Sequence, residues 1–184
     1  MLKPSTTRSP SFAASRNVKT GRRVPFFLRR VSIAHWQGRL PVTDENLAAG
    51  RRDFVLGDAD TDGLSLFEAE AEEDRRLVVA AIACNRMNLG AVDLLEIEDS
   101  EVRAFGQVAT TPGGYPIDVA NRLHRSLPWQ QPALNALADH LTEHGRRATR
   151  HKKADVKAAL ASVALEGVDA GPHREWVASL RGTL

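Results

Sequence analysis

The chain has 184 residues, 42% of them hydrophobic, with 25 Lys and Arg against 23 Asp and Glu. At roughly 150 residues per domain that length suits one domain with a tail, large enough to fold without metal or disulfide. A single cysteine, Cys84, excludes an intrachain disulfide and a Cys-based zinc cluster, and no apolar run nears the ~18 residues of a membrane span.

The net charge of +2 conceals an uneven distribution. Residues 1–43 carry nine bases and no acid, residues 44–105 carry sixteen acids and six bases, and residues 106–184 carry ten bases and seven acids. Such asymmetry speaks to partners and solubility rather than to fold. Residues 1–23 are rich in Ser, Thr, Arg and Lys and poor in large apolar groups, so they are expected to form a disordered basic tail. The same composition matches a nucleic-acid-binding arm, with Arg22 and Arg23 at its end, or an organellar transit segment. There is no secretory apolar core, and a cytoplasmic location is expected.

A single α+β domain is expected over 24–184. Val24–Trp36 is rich in β-branched and aromatic residues and reads as a strand, with Pro25 at its start. Gly38–Gly50 reads as loop with at most one helical turn. Asp53–Leu56 and Leu64–Phe67 flank a polar turn and suggest a hairpin. Over Glu68–Cys84 the period changes to that of a helix, with Leu77, Val78, Ala81 and Ile82 on one face and four acids near its start. Val92–Ile97 reads as a strand. Beyond the turn-dense Thr110–Pro116, helices are predicted over Ile117–Leu127, Leu134–His144 (capped by Gly145), Ala148–Leu165 and His173–Leu180. Strands in the first ~105 residues followed by a helical C-terminal region from about 117 specify α+β, with a small, mainly antiparallel sheet packed by the helix at 68–84.

Several motifs suggest chemistry. Asp58-Ala-Asp60-Thr-Asp62-Gly63 matches the first half of a calcium loop, but Ala69 stands where a bidentate Glu is required. An acidic turn is the simpler reading. His140-Leu-Thr-Glu143-His144 has the inverted zinc-protease spacing without a third ligand in view. No metal or other cofactor is expected. Gly113, Gly114 and Tyr115, followed by Asn121 and His124, form the best pocket candidate, because two glycines admit a close ligand and the next helix offers N–H groups. No Walker loop and no Gly-x-Ser-x-Gly nucleophile motif is present. Cys84 lies among Ala and Ile and reads as core, and His35-Trp36 at a strand end reads as an interface aromatic. Arg146, Arg150, Lys153 and Lys157 recur at helical spacing and form a predicted basic stripe, opposite an apolar face of Val156, Leu160 and Val163.

The leading expectation is a binding or accessory protein that uses basic surfaces against a nucleic-acid backbone or an acidic protein. A second is a protein–protein module of inhibitor or immunity type presenting the acids of Glu68–Asp74 and Glu96–Glu101. A third is a small enzyme with its site near Thr110–Pro116 and His124, extended by His35 or the Asp58–Asp62 turn.

Overall fold

The computed structural model describes residues 25–57, 62–165 and 171–181. The predicted tail, with Arg22 and Arg23, lies outside the described residues, as do Asp58 and Asp60 of the acidic turn. The strands are β1 Phe26–Arg30, β2 Leu64–Ala69, β3 Val92–Glu98, β4 Ala109–Thr110, β5 His124–Leu127 and β6 Ala148–His151. They form one antiparallel sheet in the order β4-β5-β2-β1-β3-β6. The helices are α1 Asp44–Arg52, α2 Glu72–Cys84, α3 Asp99–Phe105, α4 Asp118–Leu123, α5 Gln131–Glu143, α6 Lys153–Leu165 and α7 Arg174–Arg181. This is the α+β class that the sequence specifies.

Both faces of the sheet are covered, which explains why its central strands are apolar at consecutive positions rather than alternating with polar ones. Leu28 of β1, Phe67 and Ala69 of β2, and Val92 and Leu94 of β3 pack with α2, with Ala120 of α4 and with Val156, Leu160 and Val163 of α6. The intervening residues, Phe27, Leu64, Leu66, Leu95 and Ile97, turn the other way. They meet Val102 of α3 and Leu134, Leu137 and Leu141 of α5. Cys84 is fully buried in the first of these cores.

Local chemistry starts and stops the helices. Thr43 Oγ1 accepts from Asn46 N–H while Asn46 Oδ1 accepts from Thr43 N–H, a capping box that nucleates α1 inside the stretch predicted as loop. Asp74 does similar work for α2, accepting from the backbone N–H groups of Glu70 and Ala71. That cap holds the start of α2 at Glu72, so Leu64–Ala69 continues as strand where the predicted helix began at Glu68. Gly145 follows α5 with φ +65°, the left-handed residue that closes the helix, and Arg146 N–H reaches back to the Leu141 carbonyl.

Three further stretches differ from expectation. Asp53 and Phe54 form a turn after α1, so the predicted hairpin of Asp53–Leu56 with Leu64–Phe67 is absent, and β2 pairs with β1 and β5 instead. The strand predicted over Val24–Trp36 is shorter: Val31 N–H still reaches the Asp93 carbonyl, but the N–H groups of Ser32 and Ile33 bond to the carboxylates of Asp53 and Asp93 instead of a neighbouring strand. The helices predicted over Ile117–Leu127 and Ala148–Leu165 each contain a strand, β5 at the end of one and β6 at the start of the other. Pairing of β5 with β2 and of β6 with β3 outweighs local helical periodicity there.

Candidate functional site

The predicted basic stripe is not a helical stripe. Arg146 lies in the turn after α5, Arg150 lies on β6, and only Lys153 and Lys157 lie on α6. Arg150 stands directly opposite Asp93 in the β3–β6 ladder and grips its carboxylate with two bonds, Nε to Oδ1 at 2.8 Å and Nη2 to Oδ2 at 2.9 Å. This pair fixes the register of β6 and holds the Asp93 carboxyl below the usual range, with further help from Ile33 N–H. Arg146 donates to Glu98 at 2.7 Å and to Glu101 at 3.1 Å, and both carboxylates raise its pKa. Two of the four residues of the predicted stripe thus carry local counter-charges.

Most of the acids proposed as a partner-binding face are engaged in the same way. Glu68 pairs with Arg125, and Arg75 bridges Glu72 and Glu96. Asp99 pairs with Arg103, Glu98 and Glu101 hold Arg146, and Asp74 caps α2.

The glycine loop is a packed knot. Asn121, on α4, clamps the backbone of Tyr115: its Oδ1 accepts from Tyr115 N–H at 2.9 Å and its Nδ2 donates to Tyr115 O at 2.8 Å. A Cβ on Gly113 would lie 2.6 Å from Asn121 Oδ1, so only glycine allows this closeness, whereas a Cβ on Gly114 would meet open space. His124 does not follow Asn121 on the helix; it opens β5 and is 8% exposed. Its Nδ1 lies 3.1 Å from Thr111 Oγ1, and Thr111 Oγ1 lies 2.7 Å from Ser126 Oγ. Burial pushes the His124 pKa down, so the ring is neutral at pH 7. The ring packs edge-on against Phe67 at 5.6 Å, and Tyr115 packs on Phe67 at 5.2 Å. His124 is therefore a support beneath the loop, closed off from solvent, and Tyr115 is the part of the knot that reaches a cavity.

The His140–His144 pattern is explained by local contacts, whereas most of the Asp58–Asp62 turn lies outside the described residues. The rings of His140 and His144 lie 4.1 Å apart, His144 Nδ1 donates to the His140 carbonyl, and His140 faces Glu101 at 3.7 Å. Among the described residues no group of three or more His, Cys, Asp or Glu side chains is placed to hold a metal ion.

The arrangement that stands out was not assembled from the sequence. Beyond Leu28, β1 is no longer paired with β2 while its pairing with β3 continues to Arg30. A groove of about 460 Å³ lies at this split, lined by Arg29 and Arg30 of β1, by Ser32 just after it, by Arg52 and Asp53 at the end of α1, by Ser65 and Phe67 of β2, and by Tyr115. Arg29 ties the split together, donating to the Ser65 carbonyl at 2.8 Å and to the Asp53 carbonyl. Among the described residues that line the groove, Asp53 supplies the one acidic group. Its Oδ2 accepts from Trp36 Nε1 at 2.8 Å, His35 Nδ1 at 3.0 Å and Ser32 N–H at 3.2 Å. Arg30 and Arg52 are exposed, and among the described residues neither has a carboxylate partner. Arg86 lies near Arg30, and its pKa is lowered by burial and then by Arg30, with Asp93 acting in the opposite direction.

Two sequence features anticipate this groove. Arg29-Arg30 is an arginine pair inside an apolar strand, and it belongs to the acid-free first 43 residues. His35 and Trp36, singled out as site or interface residues, both bond to the Asp53 carboxylate. No family model, curated protein or solved structure matches the chain. Among the described residues no helix is long and apolar enough to cross a membrane.

Proposed function

We propose that the protein binds a phosphate-bearing polymer, a nucleic-acid backbone, through the groove at the β1–β2 split. The observation that carries this reading is the pair Arg30 and Arg52, exposed on one groove and without carboxylate partners among the described residues. Guanidinium groups match phosphate oxygens with two parallel donors, and Ser32 and Ser65 offer hydroxyls beside them. Asp53 lines the groove as well, but its Oδ2 is engaged by three N–H donors, which offset part of its negative charge. The basic surface of the leading sequence expectation is kept, but its centre moves from Arg146 and Arg150 to Arg30 and Arg52.

Fluorescence anisotropy with a labelled single-stranded oligonucleotide at about 50 mM salt tests this. The double variant Arg30→Gln/Arg52→Gln should bind at least tenfold more weakly than wild type, as expected when two arginines no longer neutralise phosphates. Equal affinity removes the groove from the binding surface, and capture of an acidic protein in place of the oligonucleotide replaces nucleic acid as the partner.

A further inference from the structure

We infer that the groove takes an unpaired nucleotide unit, with its phosphate on Arg30 and Arg52 and its base against Tyr115. The inference rests on the phosphate-binding reading and adds the ligand's second half.

Tyr115 lines the same groove as the two arginines. It is also the chain's only tyrosine, in a sequence with 5% aromatic residues, so its position beside that cationic cluster is informative. The residue is held from three sides. Asn121 fixes its backbone through both N–H and C=O, Gly113 lets that clamp close, and Phe67 backs its ring at 5.2 Å with the planes inclined by 56°. An aromatic group fixed before binding gives up little conformational entropy when a base stacks on it. Stacking tolerates any base, because every base presents a π face.

The same chemistry selects against a duplex. Inside a double helix each base face is already covered by its neighbours, so only the backbone is offered to the groove. A cleft of about 460 Å³ falls within the ~300–1,000 Å³ of sites that enclose small ligands, which suits one unpaired nucleotide, free or within a single strand.

The test uses the full chain and four probes: a labelled single strand, its duplex, adenosine monophosphate and inorganic phosphate. The single strand should bind at least tenfold more tightly than the duplex at equal phosphate concentration. Tyr115→Leu keeps an apolar group on Phe67 but removes the π face, and should weaken single-strand binding about tenfold, within the range seen when stacking aromatics are removed. Tyr115→Phe should stay within about twofold of wild type. Displacement of the strand by adenosine monophosphate assigns a free nucleotide, and strand binding without such displacement assigns an unpaired strand; both support the inference. Equal binding of strand and duplex, an unchanged Tyr115→Leu variant, or inorganic phosphate competing as well as the nucleotide would overturn it. Loss of binding in Arg30→Gln/Arg52→Gln alongside an unchanged Tyr115→Leu would leave the phosphate site standing and remove only the base stacking. No effect from either variant would remove both.

Discussion

Two groups of arginines on this molecule differ in what lies next to them. On the side of β6, Arg150 is gripped by Asp93 and Arg146 by Glu98 and Glu101. At the split between β1 and β2, Arg30 and Arg52 line a groove whose carboxylate, that of Asp53, is engaged by three N–H donors. The first group fixes register and docks a turn. The second leaves positive charge in a concave place. Counting bases along the chain cannot separate these cases, because both look like clusters; the difference lies in which acids the sheet brings opposite them. An arginine with its counter-charge in place has less to gain from a phosphate than one without.

The largest expected effect concerns Asp53. Replacing it with Ala leaves the Trp36 indole N–H, the His35 ring and the Ser32 N–H without their acceptor, at a cost of about 3 kcal/mol in folding stability. Denaturant unfolding measures this. A change under about 0.5 kcal/mol would mean that the carboxylate is not engaged by these donors, and the contrast between the two regions would weaken.

Asp93→Asn comes next, at about 1–2 kcal/mol, because Arg150 loses its counter-charge and Ile33 N–H a strong acceptor. The pH dependence has a definite sign. Asp93 has a folded-state pKa below 3.8, so its contribution is full above that value and is lost as pH falls through the depressed folded pKa. The stability gap between wild type and Asp93→Asn should therefore be flat from about pH 8 to 5 and close only below about pH 4. A gap that closes near neutrality would contradict the pairing.

The smallest effect is a gain. If carboxylates keep Arg146 from binding anions, then Glu98→Gln/Glu101→Gln should release it, raising affinity for a single strand or heparin about two- to fivefold at low salt. An unchanged affinity would mean that geometry, not pairing, keeps that side inactive.

Much of the fold was legible. Strand signals at Phe26–Arg30, Leu64–Phe67 and Val92–Ile97 hold, as do the helical period over Val78–Cys84 and the Gly145 cap. One missed element carried a readable sign: Thr43 and Asn46 stand at capping-box spacing, so α1 was within reach of local rules. The short edge strand β6 was not. Its four residues have no pattern of their own, and Arg150 joins a helical series by coincidence until Asp93, fifty-seven positions away in sequence, is placed opposite it. The groove was hidden for the same reason. Arg30, Arg52 and Tyr115 come from three separate stretches, and only the divergence of β1 from β2 brings them together. Gly113, Asn121 and His124 were recognised as a group, but their roles are to clamp and support Tyr115.

The salt dependence of single-strand binding tests the central contrast most directly. Log affinity plotted against log salt should fall with a slope that decreases by about 1.4 in Arg30→Gln/Arg52→Gln, at ~0.7 for each phosphate no longer neutralised on a single strand. Arg146→Gln/Arg150→Gln should leave the slope at its wild-type value. A slope that drops in the second variant and holds in the first would contradict the account, because the arginines paired with carboxylates would then be the ones that meet phosphate.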